Sequence, residues 1–309
     1  MDKIVPKTKP RKWLYAQRIE GLTGILMITP IIILMCVFAF YPILNSVYIS
    51  FTKWDLLGDK VFVGIQNYIE LFTDSSFDIE LWNTIFLTFF SVSISMILSL
   101  VLANVLNTKM RAKGVYRVIY FLPNVTMPVA VGMVWQWMLN SQYGLVNQIL
   151  SWVGIQGPKW ISDPNWIKPG LIIVNVWMTV GYNLVILMGG LAGISETYYE
   201  AADIDGASAF TKFRRITLPL LSPYTFFLVI TGIINALKIF DIIYIFNSGN
   251  TKVGTMLDAS RSVVFGIYEK GFVYNRMGFA AAEAVTLFAI IAIVTGVQFI
   301  IEKKWVNYD

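Results

Sequence analysis

Residues 83 to 106 read NTIFLTFFSVSISMILSLVLANVL, an apolar run without one charged side chain. Crossing the hydrocarbon of a bilayer as a helix takes about 20 predominantly apolar residues, so this run is long enough to do so. Five further stretches qualify: roughly Leu22 to Phe40, Val118 to Leu139, Pro169 to Leu191, Leu220 to Phe240 and Phe279 to Ile301. No soluble core could hide them. Of the 309 residues 56% are hydrophobic and 14% charged, where a soluble domain carries about 25% charged residues. The 21 Phe, 15 Tyr and 10 Trp add the aromatic excess that settles where bilayers meet water. The expected fold is an all-α integral membrane domain of six transmembrane helices.

The charges between the spans alternate. Residues 1 to 20 hold six Lys or Arg; the 107 to 117 connection holds Lys109, Arg111, Lys113 and Arg117 and no acid; the 41 to 82 connection holds two Lys against six acids. Lys212, Arg214 and Arg215 follow in the fourth connection, and Lys303 and Lys304 in the tail. The positive-inside rule then places both termini and the second and fourth connections in the cytoplasm of a multi-pass cell-membrane protein. An even number of spans requires the same. The organisation expected is an N-terminal segment over 1–20, one membrane domain over 21–302 with a cytoplasmic loop at 194–219, and a short tail over 303–309. The segment Pro10 to Glu20, with Trp13, Leu14 and Ile19 among basic residues, suits either a short interfacial helix or a solvated tail. Leu22 to Phe40 is longer than a signal-peptide core and lacks a clear cleavage site, so it is expected to stay as an anchor.

Composition also narrows the chemistry. There is no histidine, which removes the commonest general base and metal ligand. The single cysteine, Cys36, lies in an apolar run and excludes disulfide frameworks and cysteine-based metal sites. The net charge of +5 comes from residues beside the spans rather than along one soluble face, so nucleic acid is not an expected partner. No GxxxxGK[ST] loop occurs, so the chain has no P-loop with which to cradle nucleotide phosphates.

The fourth connection, Ile194 to Pro219, mixes Glu196, Glu200, Asp203 and Asp205 with three basic residues and with small residues at Ala201, Ala202, Gly206, Ala207 and Ala209. Helix formers, a glycine turn and the break at Leu218-Pro219 fit a helix-turn-helix knob protruding from the membrane. An ordinary amphipathic surface loop fits as well. The segment EAADIDGASAFTKFRRITLPLLSP, from Glu200 to Pro223, resembles the EAA loop of binding-protein-dependent ABC importers: Glu-Ala-Ala, three residues, Gly, nine residues, then Ile-x-Leu-Pro. Glu200, Ala201, Ala202, Gly206, Ile216, Leu218 and Pro219 carry the match, with Asp203 and Ala207 between them. Tyr41-Pro42, Ser50-Phe51, Val63-Gly64-Ile65, Asn67-Tyr68, Asn83-Thr84, Phe121-Leu122-Pro123, Trp135, Tyr143-Gly144-Leu145, Asn147 and Lys238 with Phe240-Asp241 extend the likeness to the carbohydrate branch, the maltose-type and glycerol-phosphate-type permeases. Ser248-Gly249-Asn250 stands where relatives often have Gly-Gly-Pro.

The resemblance implies the type I ABC importer permease fold and the permease role, with no catalysis by this chain. It implies these partners: a second homologous permease, a cytoplasmic ABC ATPase dimer seated against the loop, an extracytoplasmic sugar-binding protein, the sugar and the surrounding lipid. ATP and Mg would then sit on the ATPase subunits, and no cofactor on this chain. Oligosaccharide is expected ahead of monosaccharide or glycerol phosphate.

Polar and aromatic residues at membrane depth are the candidates for a sugar path: Trp135, Gln136, Asn175, Trp177, Tyr182, Asn183 and Asn235, with Lys238 and Asp241. Helix packing and interfacial anchoring account for such residues equally well. Lys238 and Asp241 are three apart, the spacing of an ion pair on one helical face. Glu283, a turn into the sixth span, is expected to snorkel to the outer interface. Pro123 and Pro128 are expected to bend the third span. An ion-coupled secondary transporter would want acids near the midplane and a repeat between halves, and an intramembrane enzyme would want a catalytic set such as HExxH. The spans hold only Glu283 and the pair Lys238 and Asp241, and the chain has no histidine and no HExxH.

Overall fold

The computed structural model describes residues 11–107, 113–248 and 255–306. Residues 1–10, Lys109 and Arg111, Gly249 and Asn250, and residues 307–309 lie outside the described residues. Five helices among those described are long and apolar enough to cross a membrane: Thr23–Ser50, Ser75–Leu106, Ile167–Gly193, Ser222–Asn247 and Met277–Lys303. They are the first, second, fourth, fifth and sixth spans. The third crossing is shared by Lys113–Val125 and Pro128–Met138, which meet at 99°. That is a break rather than the expected bend. Pro128 holds Met127 in an extended conformation, at φ −58° and ψ 126°, and Thr126 turns its hydroxyl back to donate to the Leu122 carbonyl. Pro123 sits inside the first half-helix.

The first span begins inside a continuous helix, Arg11–Met35, so among the described residues no separate interfacial helix precedes it. It runs beyond Phe40 through a π-helical turn, Cys36–Phe40, into Tyr41–Ser50. A proline clashes with the carbonyl four residues back, here that of Phe38, and a widened turn relieves the clash. The same device recurs where the π-turn Phe213–Thr217 precedes Pro219.

The second and fourth spans form the centre. Ser99 donates to the Ser95 and Val180 carbonyls, 2.6 and 3.0 Å away. Gly181 lets the Tyr120 carbonyl approach so closely that a Cβ would collide with it. Small and hydroxyl-bearing residues at such crossings permit the close packing that drives helix association in lipid. An inner cluster around Leu184, Leu187, Met188 and Leu221 and an outer one around Leu171, Val174, Ile243 and Phe246 fill the space between. The first span stays bare from Thr23 to Phe40, and its Tyr41–Ser50 half packs on the sixth.

Caps on the opposite side from the fourth connection are stapled by side chains. Asn67 donates to the Ser50 and Thr52 carbonyls at 2.8 and 2.9 Å, and Ser50 meets the Tyr68 hydroxyl at 2.7 Å. Asn147 donates to the Pro158 carbonyl and accepts from the Trp160 indole. Asn83 holds the Asp258 and Arg261 carbonyls.

The charge alternation sets the orientation, and labelling checks it. In a Cys36→Ser background, Leu57→Cys at the exposed tip of the hairpin Thr52–Lys53 with Val61–Phe62 is expected to react with an impermeant maleimide on intact cells. Asp205→Cys should react only after permeabilisation. The reverse pattern would overturn the topology.

Candidate functional site

A cavity of about 560 Å³ opens between the second, third, fourth and fifth spans, a size suited to a small ligand. Asn175, Tyr182, Asn183, Asn235, Lys238 and Asp241, all singled out in the sequence, line it. Asn183 donates to the Ser95 hydroxyl at 3.4 Å. Asn175 and Asn235 form no side-chain hydrogen bond among the described residues, so their amides face the cavity without internal partners. Ser91, Ser95, Asn124, Thr179 and Thr231 line it too. Sequence reasoning missed the serines and threonines because such a residue in an apolar helix reads as a packing residue, as Ser99 is, and it passed over Asn124 beside the proline break.

Three expected path residues lie elsewhere. Gln136 donates to the Ile245 carbonyl at 3.1 Å, tying the broken third span to the outer half of the fifth. Trp135 and Trp177 meet edge to face, 5.6 Å between ring centroids. They serve packing there. Lys238 and Asp241 reach the cavity but form no ion pair with each other. The helix Ser222–Leu237 ends at Lys238, and Asp241–Asn247 starts a new one after Phe240 at φ −138°. The regular three-residue spacing on one face is lost at that break.

The fourth connection is a built knob. Ser195 accepts from the Thr197 N–H to open the helix Glu196–Ile204. The helix closes at Gly206, φ +69°, with Gly206 N–H donating to the Asp203 carbonyl and Ala207 N–H to the Ala202 carbonyl. This pair of bonds is the Schellman arrangement, which wants glycine at the left-handed position. Ser208 then accepts from the Thr211 N–H ahead of Ala209–Lys212. Lys212 pairs with Asp203 at 2.6 Å, and Tyr199 meets the Thr217 hydroxyl at 2.9 Å, so the knob is braced against its own root.

Glu200, Ala201, Asp203 and Gly206 are exposed, Ala202 and Ala207 half-buried at the turn. Ile216, Leu218 and Pro219 lie at the root, where the chain re-enters the membrane region. The outermost side chains are two that the motif does not mark. Ile204 is 87% exposed and Phe210 70% exposed. Large apolar groups standing alone in a polar loop were the legible sign of them.

A third cluster lies at the other end. Glu80 and Glu283 are both 0% exposed. Lys270 Nζ lies 2.9 Å from Glu80 Oε2 and 3.1 Å from Glu283 Oε2. Arg261 Nε stands 3.1 Å from Glu80 Oε1, and its guanidinium also reaches Glu269 and Asp258. Glu283 therefore does not snorkel to the interface; it is buried and paired. Beside them, the Glu269 charge, with burial, holds the Tyr274 phenol above the ordinary tyrosine range, so this phenol stays a donor to Glu269.

Residues 95–307 match the family described as Binding-protein-dependent transport system inner membrane component. The trehalose/maltose transport system permease protein MalF of Thermococcus litoralis is 33% identical over 273 residues, spanning 88% of this chain and 90% of that protein. A bacterial ABC transporter involved in the import of the acidic polysaccharide alginate has a chain that superposes with a TM-score of 0.81 at 22% identity, over 96% of this chain and 100% of its own. A bacterial alginate ABC transporter, solved in complex with alginate pentasaccharide-bound periplasmic protein, gives 0.79 at 23% identity over 96% and 98%.

Proposed function

This chain belongs to the family of binding-protein-dependent transport system inner membrane components, and from that premise we propose that it forms half of the path by which an ATP-driven importer takes up an oligosaccharide. Its fold is that of the type I ABC importer permeases, and its part in such a system is that of the membrane permease. The decisive observation is mechanical. The fourth span lines the cavity through Asn175 to Asn183 and runs out into the knob; the fifth lines it through Thr231 to Asp241 and starts from the knob. A push on the knob therefore moves two cavity walls at once, which is the differential contact that a bistable transporter needs.

The ATPase dimer, holding ATP and Mg, seats against the knob over 194–219, with Ile204 and Phe210 as apolar anchors and Glu200 to Ala202, Asp203, Gly206 and Ala207 around them. Ile216, Leu218 and Pro219 carry the movement into the fifth span. A second permease subunit covers the bare Thr23–Phe40 stretch and closes the cavity. The sugar-binding protein docks on the opposite face. Residues 21–302 act as one membrane unit, with the 1–20 and 303–309 segments in the cytoplasm.

The lining favours neutral hydroxyls over phosphate. Its polar side chains are mostly amides and hydroxyls set among apolar ones, and its one cation, Lys238, is accompanied by Asp241, whereas phosphate sites gather Arg and Lys donors. The relative named for trehalose/maltose transport supports a sugar chain. Losing one sugar hydrogen bond removes about 0.5 to 1.5 kcal/mol, or roughly two- to twelvefold in uptake. Asn175→Ala and Asn235→Ala, made in the reconstituted importer, are each expected to lower oligosaccharide uptake by that factor with the complex still assembled. Unchanged uptake in both would place the path elsewhere.

A further inference from the structure

At the outer mouth of the cavity the fifth span breaks, and the break starts a row of rings. Phe240 lines the cavity. Its ring centroid lies 5.5 Å from that of Tyr244 and 5.4 Å from that of Tyr268; Tyr268 in turn lies 5.4 Å from Tyr244 and 5.9 Å from Phe272, stacked on it at 28°. Phe272, at the far end, is 62% exposed. The row thus leads from the cavity to the outer surface.

Phe240 and Tyr268 are half-buried, Phe240 against the outer cluster, whereas Tyr244 and Phe272 are exposed. The helix Asp241–Asn247 buries Ile242, Ile243, Ile245 and Phe246, and turns Asp241 and Tyr244 to the open side. The segment carrying Tyr268 and Phe272 is instead pinned from behind, because the two residues between them in sequence that bear charge, Glu269 and Lys270, are held by Arg261, Glu80 and Glu283. The exposed faces of Tyr244 and Phe272 are thus carried on ordered elements. Rings ordered before a ligand arrives lose little entropy when it binds.

We propose that Phe240, Tyr244, Tyr268 and Phe272 form a stacking track that passes neutral sugar rings between the outer surface and the cavity. The inference rests on the reading of the cavity as a sugar path. A pyranose presents a C–H face that an aromatic ring covers, while its hydroxyls stay free for water and for polar groups. Stacking is tolerant of rotation and sliding, so a ring row holds a chain without fixing it at one register. Lys238 and Asp241 stand beside Phe240 at the cavity end of the row and supply hydrogen-bonding partners where the sugar leaves the track.

The test uses the full importer complex in proteoliposomes and tritiated malto-, galacto- and arabino-trisaccharides, each variant being measured with the probe that the wild type imports fastest. Tyr268→Ala and Phe272→Ala are expected to lower uptake at sub-saturating sugar by about fivefold each, with the second permease still co-purifying. Tyr268→Trp, which keeps a ring, should recover most of the uptake. Trp152→Ala, at an exposed ring elsewhere on the outer side, should leave it unchanged. Normal uptake in both alanine variants, with Asn235→Ala defective, overturns the track and leaves the path standing. Loss of the second permease from the Phe272→Ala complex makes the row a subunit seam and overturns it too. If the wild type imports none of the probes, or if Asn235→Ala is harmless, the sugar path itself fails, and the track with it.

Discussion

Lys270→Met is expected to be the most destabilising single substitution in the outer half of the protein, seen as a fall in the temperature at which half of the monodisperse species is lost in detergent. Lys270 lies between two carboxylates that are wholly buried, and methionine fills its volume without its charge. Glu80 would keep Arg261, whereas Glu283 would keep no cation within reach. Removing one partner of a buried ion pair costs about 3 to 5 kcal/mol, because it strands the other charge; replacing the pair by apolar residues is often neutral. Lys270→Met combined with Glu283→Met should therefore recover a large part of the loss. The damage has a defined reach, since the cluster joins the second span, the sixth span and the loop segment between Asp258 and Val273. An unchanged midpoint in Lys270→Met, or a double variant worse than the single one, would remove the cluster as a stabilising joint.

That cluster marks a limit of reading by local pattern. Glu283 was visible as an acid in an apolar span, but its partners come from residue 80 and from the loop at 270, and no periodicity links them. Snorkelling was the only local remedy available to it. Lys238 and Asp241 failed in the opposite way. Their spacing was a local rule that assumed an unbroken helix, and the chain breaks between them. Asn175, Asn183 and Asn235 were singled out because an amide in an apolar span stands out, yet Asn124 next to Pro123 was passed over, and Ser91 and Ser95 were hidden by the many serines that merely pack. The six apolar runs were legible, but their ends were not: the second span starts at Ser75 rather than Asn83, the fifth runs on to Asn247, the third is broken at 99°, and a π-turn lets the first helix run past Pro42 to Ser50. Local chemistry decided the knob's turn too: the glycine turn was read from the sequence, and the structure has Gly206 at the left-handed position, while the serine caps at Ser195 and Ser208 were not singled out.

Ile204→Asp is expected to abolish transport with the permease fold intact. The side chain is 87% exposed and braces nothing within the chain, so its loss leaves the six spans undisturbed. Burying an isoleucine against a partner is worth roughly 1.5 to 3 kcal/mol, and aspartate would both forfeit that and carry an unpaired charge into the contact. Gly206→Val should act more mildly. A Cβ at Gly206 meets no atom, so the penalty is the left-handed backbone alone, about 1 kcal/mol and more for a β-branched residue.

The most direct measurement is accumulation of tritiated oligosaccharide in proteoliposomes that contain this chain with its second permease, the ATPase dimer and the binding protein. The predicted result is sugar uptake that requires ATP on the side of the knob, is lost in Ile204→Asp and is reduced in Gly206→Val. ATP-driven uptake at the wild-type rate in both variants, or uptake by the wild type that does not require ATP, would contradict it.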